Sequence, residues 1–196
     1  MEIVAVTERK LCGRPFLEQI ELIASSGADM IVLREKDLGY AEYRELAAEV
    51  MGICGEHDMK FCVNTFADIA SEIGADTVWI PYAMLIEKGR PRLHDVGVSV
   101  HSLDEAVKAE SAGADFLIYG NVFETSCKPG KEAKGFSELD RIAESVKIPV
   151  YAVGGIGCGN ASLLKSHKIQ GICLRSAFMT SDDPEELVSA LRVSTS

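Results

Sequence analysis

Positive charge is scarce in this sequence. Its 196 residues carry 20 Lys and Arg against 30 Asp and Glu, a formal net charge of −10. A bulk nucleic-acid binder neutralises many phosphates and normally shows the opposite balance, so that class is excluded, whereas a few basic residues in one cleft still allow an anionic small molecule. No apolar run approaches the roughly 20 residues of a membrane-spanning helix, so no membrane partner is expected. Residues Met1-Glu2-Ile3-Val4-Ala5-Val6-Thr7 lack the basic-then-apolar pattern of a secretory leader. The six Cys, at 12, 54, 62, 127, 158 and 173, include no C-x-x-C pair. Free thiols in a reducing cytoplasm are therefore the expectation. No spacing of His, Cys and carboxylates reads as a zinc site, and no G-x-S-x-G nucleophile elbow occurs. What is present is ordinary for a globular chain and too apolar for a disordered one, with 47% hydrophobic and 26% charged residues.

Short β-branched runs recur along the whole chain. The eight candidate strands are 3–6, 30–33, 60–63, 77–80, 97–100, 116–119, 150–153 and 171–174. They are continuous apolar runs rather than alternating ones, as expected of parallel strands buried on both faces. Amphipathic segments lie between them, including 17–25, 40–55, 103–112 and 137–145, with 82–92 the weakest helix candidate. Gly27-Ala28-Asp29, Gly74-Ala75-Asp76 and Gly113-Ala114-Asp115 each close a helical pattern and open a strand. In each, the Gly suits the left-handed position that ends a helix. Helix starts are legible too: Ser102 to Glu105 is a capping box, and Asp183 is an N-cap before Pro184, Glu185 and Glu186. Eight units in 196 residues leave 24.5 each, close to the minimum for a strand, a helix and two short loops. The pattern predicts an α/β fold, a single (β/α)₈ TIM barrel spanning residues 1–196 as one domain. An open doubly wound sheet would favour a G-x-G-x-x-G after the first strand, and none occurs.

A barrel of this type places its site at the C-terminal ends of the strands. There the sequence sets Arg34, Glu35 and Lys36 after the second strand, and Asn64 and Thr65 after the third. His101 and Ser102 follow the fifth strand; Asn121, Glu124, Thr125, Cys127 and Lys128 follow the sixth. Gly154 and Gly155 follow the seventh and precede a segment expected to be helical, and Arg175 and Ser176 follow the eighth. Glycines that let backbone N–H groups approach, beside a helix start, suit a phosphate, and loops seven and eight are a usual phosphate site in barrels. The plainer alternative is that Gly154-Gly155 only makes a tight turn. Arg34 and Lys36 are candidate anion contacts at the rim, or solvated charges. Lys128 lies in a basic Lys-Pro-Gly-Lys loop. Asn64 could fix a ring by donating and accepting together, or merely end its strand. His101 is a candidate acid or base, or a packed residue beside a cap.

Five motifs, in order, resemble one family: Val32-Leu-Arg-Glu-Lys36, Val98-Ser-Val-His-Ser102 with Leu103-Asp-Glu-Ala106, Ala112-Gly-Ala-Asp115, Gly120-Asn-Val-Phe-Glu-Thr-Ser-Cys-Lys128 and Ile148-Pro-Val-Tyr-Ala-Val-Gly-Gly-Ile156. Together they resemble the thiamine phosphate synthase and TenI-type thiazole tautomerase superfamily, a barrel family. The resemblance implies one of two chemistries. The synthase joins a pyrimidine diphosphate to a thiazole phosphate with Mg²⁺, releases pyrophosphate and makes thiamine phosphate. The tautomerase moves a proton to aromatise a thiazole carboxylate phosphate without metal. By resemblance, Gly154, Gly155 and Ser176 would hold the thiazole phosphate, with Asn64 and Thr125 near the rings. Arg34, Lys36 and Lys128 would contact pyrophosphate in a synthase.

The chain departs from the synthase pattern in particular places. Val32 stands where that pattern has Gln, Thr65 where it has a metal-ligand Asp, and Cys127 where it has Thr. Pro81-Tyr-Ala-Met-Leu85, where a second ligand Asp is expected, has no carboxylate, and Glu87 is out of register. A hard divalent ion bridging a diphosphate normally needs such carboxylates. The loop with Phe123-Glu124-Thr125 and Cys127-Lys128 resembles the TenI-like branch more closely. That branch commonly has His, its proposed acid–base group, where this chain has Asn121. Asn has no usable pKa for proton transfer, so Asn121, Cys127, His101 and Glu124 are the catalytic candidates. The leading expectation is a metal-free, cofactor-free tautomerase-like enzyme. The alternatives are a synthase with a degenerate Mg²⁺ site and a non-catalytic binder of a thiamine precursor. The expected partners are thiazole phosphate or thiamine phosphate, and the sequence is compatible with a homo-oligomer.

Overall fold

The computed structural model describes residues 1–124 and 135–196. Eight parallel strands run β1 Glu2–Val6, β2 Met30–Leu33, β3 Lys60–Asn64, β4 Thr77–Pro81, β5 Asp95–Val100, β6 Phe116–Gly120, β7 Val150–Val153 and β8 Gly171–Leu174. Each pairs with the next, and β8 pairs with β1, closing a barrel in chain order. The doubly wound alternative is thereby overturned. Around it lie α1 Phe16–Ala24, α2 Tyr40–Glu56, α3 Ala67–Ile73, α4 Tyr82–Lys88, α5 Leu103–Ser111, α6 Ser137–Ser145, α7 Ser176–Met179 and α8 Pro184–Thr195.

The apolar strand runs resolve into two faces with a period of two. Val4, Val6, Met30, Val32, Cys62, Trp79, Ile118, Tyr151 and Cys173 form one buried cluster, the barrel lumen. Ile3, Ala5, Ile31, Leu33, Val63, Val78 and Ile80, the intervening residues, belong to the outer core against the helices. Space in the lumen is shared unequally. A Cβ on Gly97 would lie 2.3 Å from the Phe116 ring, so the absent side chain on β5 makes room for the large one on β6.

The three Gly-Ala-Asp turns work as their sequence suggests, and in two of them the Asp side chain adds a tie. Gly27, Gly74 and Gly113 have φ of +81°, +78° and +90°. Asp29 Oδ2 accepts the Ile3 N–H at 2.7 Å, and Asp115 Oδ2 accepts the Val96 N–H at 2.8 Å. Each carboxylate thus fastens the start of its own strand to the preceding strand. At α5 the Ser102 hydroxyl accepts the Glu105 N–H at 3.2 Å, but the Glu105 carboxylate reaches back to the His101 N–H at 2.6 Å rather than to the cap residue itself. Asp183 caps α8 through the Glu186 N–H at 2.9 Å.

One expected helix is absent. After β7 the chain forms only a 3₁₀ turn, Ala161–Leu164. Gly157 and Gly159 disfavour a helix before it, and Asn160 bonds the loop backbone instead, accepting the Gly157 N–H at 2.9 Å. The helix N-terminus expected to support Gly154 and Gly155 is therefore replaced by a loop held by side chains. No helix among the described residues is long and apolar enough to cross a membrane.

Thiol reactivity should follow this layout. Cys54, Cys62 and Cys173 are buried, and burial pushes their thiols well above the ordinary range, whereas Cys158 is exposed. Iodoacetamide on the native protein, mapped by mass spectrometry, should modify Cys158 and spare those three until the chain is unfolded. Equally fast labelling of Cys62 or Cys173 would contradict their place in the lumen.

Candidate active site

The strand ends after β6, β7 and β8 form one side of the mouth. Gly154 and Gly155 have φ of +105° and +68°, which side chains rarely tolerate. A Cβ on Gly154 would lie 2.5 Å from the Asn121 Cβ, and one on Gly155 would lie 2.3 Å from the Glu124 carbonyl oxygen. The first use of both glycines is therefore to let the chain leaving β6 lie against the chain leaving β7. The Val122 N–H donates to the Val153 carbonyl at 3.0 Å and the Phe123 N–H to the Gly154 carbonyl at 3.1 Å. Asn160 Nδ2 donates to the Gly155 carbonyl at 2.8 Å, which sets the direction of that carbonyl. Asn160 carried no signal beyond a glycine-rich context.

Asn121 lies beside Gly154. It is only 4% exposed, and its amide donates to the Phe123 carbonyl at 3.1 Å. Glu124 is exposed at the same exit, and Ser176 is exposed at the start of α7. Thr125, Cys127 and Lys128 lie outside the described residues.

On the opposite side, Asn64 ends β3 with its amide held. Its Nδ2 donates to the Trp79 carbonyl at 3.0 Å, and the Thr65 hydroxyl donates to its Oδ1 at 3.2 Å. Thr65 has a φ of +76°, a costly conformation for a β-branched residue. The Thr65 N–H donates to the same Trp79 carbonyl at 2.8 Å. Trp79 in turn donates its indole N–H to Ser99 at 2.6 Å. His101 lies two residues beyond Ser99, exposed at the end of β5.

Arg34 and Lys36 flank a residue with a different task. Glu35 is 3% exposed and accepts from the Thr7 hydroxyl at 2.7 Å, the Arg9 N–H at 3.0 Å and the Arg9 guanidinium at 3.1 Å. Thr7 also accepts the Arg34 N–H at 2.9 Å, so the buried carboxylate fixes the backbone from which Arg34 extends. Removing it should cost about 3 kcal/mol or more, because Thr7 and Arg9 would lose their buried acceptor. For a chain of this size Glu35→Ala should then lower Tm by roughly 6–12 °C, which calorimetry would read. Beside this network Arg9 and Lys10 also bind Asp37, at 2.6 and 2.9 Å, and hold its carboxyl well below the usual range. Arg175 is ion-paired with Glu8 across the seam of β8 and β1. Sequence reading singled out the cations here and missed Thr7, Glu8 and the inward turn of Glu35, since a residue's facing at a strand end is not written in its neighbours.

The family model described as Thiamine monophosphate synthase matches residues 3–178. The chain belongs to that family. Relatives cover nearly all of it. A thiamine-phosphate synthase of Fusobacterium nucleatum is 34% identical over 192 residues, 95% of this chain and 93% of that protein. A putative thiamine-phosphate synthase 2 of Aquifex aeolicus is 36% identical, covering 90% of this chain and 97% of that protein. The solved thiamine phosphate pyrophosphorylase of Pyrococcus furiosus superposes with a TM-score of 0.85 at 32% identity, covering 99% of this chain and 95% of that one. All three carry the transferase name rather than the tautomerase name, so within the family the comparisons favour the synthase over the TenI-like branch.

The Mg²⁺ ion of a synthase can be tested against the residues present. At the mouth ends of β3 and β4 stand Asn64 and Thr65, and Pro81 and Tyr82. The nearby carboxylates Glu8 and Glu35 are engaged by Arg175, and by Thr7 and Arg9. Among the described residues, no group of three or more His, Cys, Asp or Glu is placed to hold a metal. These residues do not fit a carboxylate-held Mg²⁺ site.

Proposed function

We propose that residues 1–196 form one domain, an enzyme of thiamine biosynthesis that binds a thiazole phosphate at the barrel mouth and acts on it without metal, as a tautomerase-like isomerase. The observation that carries this reading is the uncharged chemistry at the ends of β3 and β4, where Thr65 serves Asn64 as a hydrogen-bond donor. In this reading the loops after β7 and β8 take the phosphate at Gly155 and Ser176. Arg34 and Lys36 supply positive charge at the rim, and Lys128 is a further candidate contact for the anion. Asn64, with Thr125, orients the thiazole ring, its amide held by Thr65 and Trp79. Asn121 faces the ring from beside Gly154 but holds no transferable proton. Another group then moves the proton, and His101, Glu124 and Cys127 are the candidates.

A second reading is the transferase, thiamine-phosphate synthase, and the names of the relatives favour it. One pair of assays separates the readings. The purified protein is given the thiazole carboxylate phosphate tautomer with EDTA, and aromatisation is followed by ultraviolet absorbance. In parallel it is given the pyrimidine diphosphate, thiazole phosphate and Mg²⁺, and pyrophosphate release is followed. Turnover in EDTA without pyrophosphate release is the expected result. Pyrophosphate release at ordinary enzymic rates, on the order of 1–10³ s⁻¹, would establish the transferase instead. Binding without turnover in either assay would leave a non-catalytic thiazole phosphate carrier. Thr65→Asp should not by itself create synthase activity, because Pro81 and Tyr82 still offer no second carboxylate.

A further inference from the structure

Arg175 is held in an unusual way. It follows the lumen residue Cys173 by two positions, at the C-terminal end of β8. Its Nη1 is bound by the Glu8 carboxylate from the chain leaving β1, and its side chain is 18% exposed. Its Nε–H is buried and has no hydrogen-bond partner among the described residues. A buried N–H without a partner is costly and calls for an acceptor. Val153, the last residue of β7, pairs with Cys173 on β8, so the chain segments carrying Gly154 and Arg175 leave neighbouring strands at the same end of the barrel. The next residue is Ser176. The unmatched donor therefore belongs to the residue before Ser176, on the strand next to the one that leads into Gly154 and Gly155.

The other basic groups of this rim differ. Arg9 and Lys10 are committed to Asp37, and Arg14 to Asp182. Asp37 and Asp182 are at least one-third exposed, and the second acceptor of Arg9, the buried Glu35, also serves Thr7; Glu8 and Arg175 meet at a half-buried seam. A guanidinium anchored at one nitrogen loses little further freedom when its neighbour nitrogen binds an oxyanion.

We propose that Glu8 is a positioning residue that anchors Arg175 so that its Nε–H donates to a phosphate oxygen of the ligand. The inference rests on the thiazole phosphate reading of the mouth. It adds a donor whose direction is set from β1, on the far side of the seam from the β7 loop. Ligand recognition would then tie the first and last strands of the barrel together.

Arginine Nε–H resonances in ¹⁵N-labelled protein test this directly, with inorganic phosphate and thiazole phosphate as the probes. The Arg175 signal is assigned by its loss in Arg175→Lys and should move on adding either probe. Calorimetry should show thiazole phosphate binding at least about fivefold weaker in Arg175→Met. Glu8→Ala should weaken it comparably, and Glu8→Gln, whose amide oxygen still accepts from Nη1, should restore most of the loss. Native circular dichroism checks that each variant is folded, and Glu8→Gln keeps the test open should Glu8→Ala unfold. Tighter binding in both Glu8 variants would mean that Glu8 merely competes for the guanidinium, which overturns the proposal. If the unaltered protein binds thiazole phosphate, but the Arg175 signal is still and Arg175→Met binds as tightly, this inference falls and the thiazole reading stands. No response of the unaltered protein to either probe overturns both.

Discussion

Replacing Asn121 by His should raise tautomerase turnover by about 10²-fold or more, because a positioned acid–base group is typically worth about 10²–10⁴ in rate. The structure gives this substitution its place. Asn121 is nearly buried against Gly154 at the exit of β6, so an imidazole there would share the wall that the glycine loop forms. Stopped-flow absorbance under saturating thiazole carboxylate phosphate reads the gain as kcat. A large gain identifies a pocket that kept its shape and lost its proton carrier. No gain together with substantial turnover in the unaltered protein assigns the proton to another group, and His101, Glu124 and Cys127 are then removed singly. A ligand complex with Asn121 remote from the ring would discard the expectation.

Gly155→Asp should weaken thiazole phosphate binding by at least about tenfold, roughly 1.4 kcal/mol. Three effects act in the same direction. The new carboxylate repels the phosphate. The Cβ has no room, since its position lies 2.3 Å from the Glu124 carbonyl oxygen and 2.8 Å from the Phe123 Cβ. The φ of +68° strains any side chain. The variant should also be less stable, so binding is measured by calorimetry at a temperature where circular dichroism shows the native fold. Gly155→Ala separates the contributions, because it keeps the crowding and removes the charge. Unchanged affinity in folded Gly155→Asp would remove the β7 loop from the phosphate site.

The barrel was legible because its signals are local. A strand buried on both faces is written in its own four or five apolar residues, and Met30–Leu33, Val150–Val153 and Gly171–Leu174 match their expected limits. The Gly-Ala-Asp turns are equally local, since a left-handed residue and a helix end coincide at one glycine. The turn after β7 was misread as helical, because Gly157, Gly159 and Asn160 prefer a side-chain-clamped loop. The mouth was legible by position and not by orientation. Arg34, Asn64, Asn121 and Ser176 do stand at strand ends around it. Glu35 looked like one charge in a run of three and turned inward to Thr7 and Arg9, residues 26 to 28 positions away. Arg175 looked like a ready anion donor, yet its Nη1 is engaged by Glu8, 167 positions away. Such pairings depend on which strands become neighbours when the sheet closes, and no short window of sequence contains that.

The paired cations of the rim bear on how fast an anion arrives. Arg9, Lys10, Arg14 and Arg175 each face a carboxylate, so from a distance their charge is largely cancelled. The chain as a whole carries −10. Within a Debye length of the surface, about 10 Å at 0.1 M salt, an approaching phosphate ester therefore meets the net negative charge of the chain, against which Arg34 and Lys36 supply the positive charge of the rim. Added salt should then quicken capture, the reverse of what a basic, steering cleft shows, while the dissociation rate responds only weakly. Discrimination among phosphorylated metabolites would be exercised after contact, by the direction of a few donors, and not during approach.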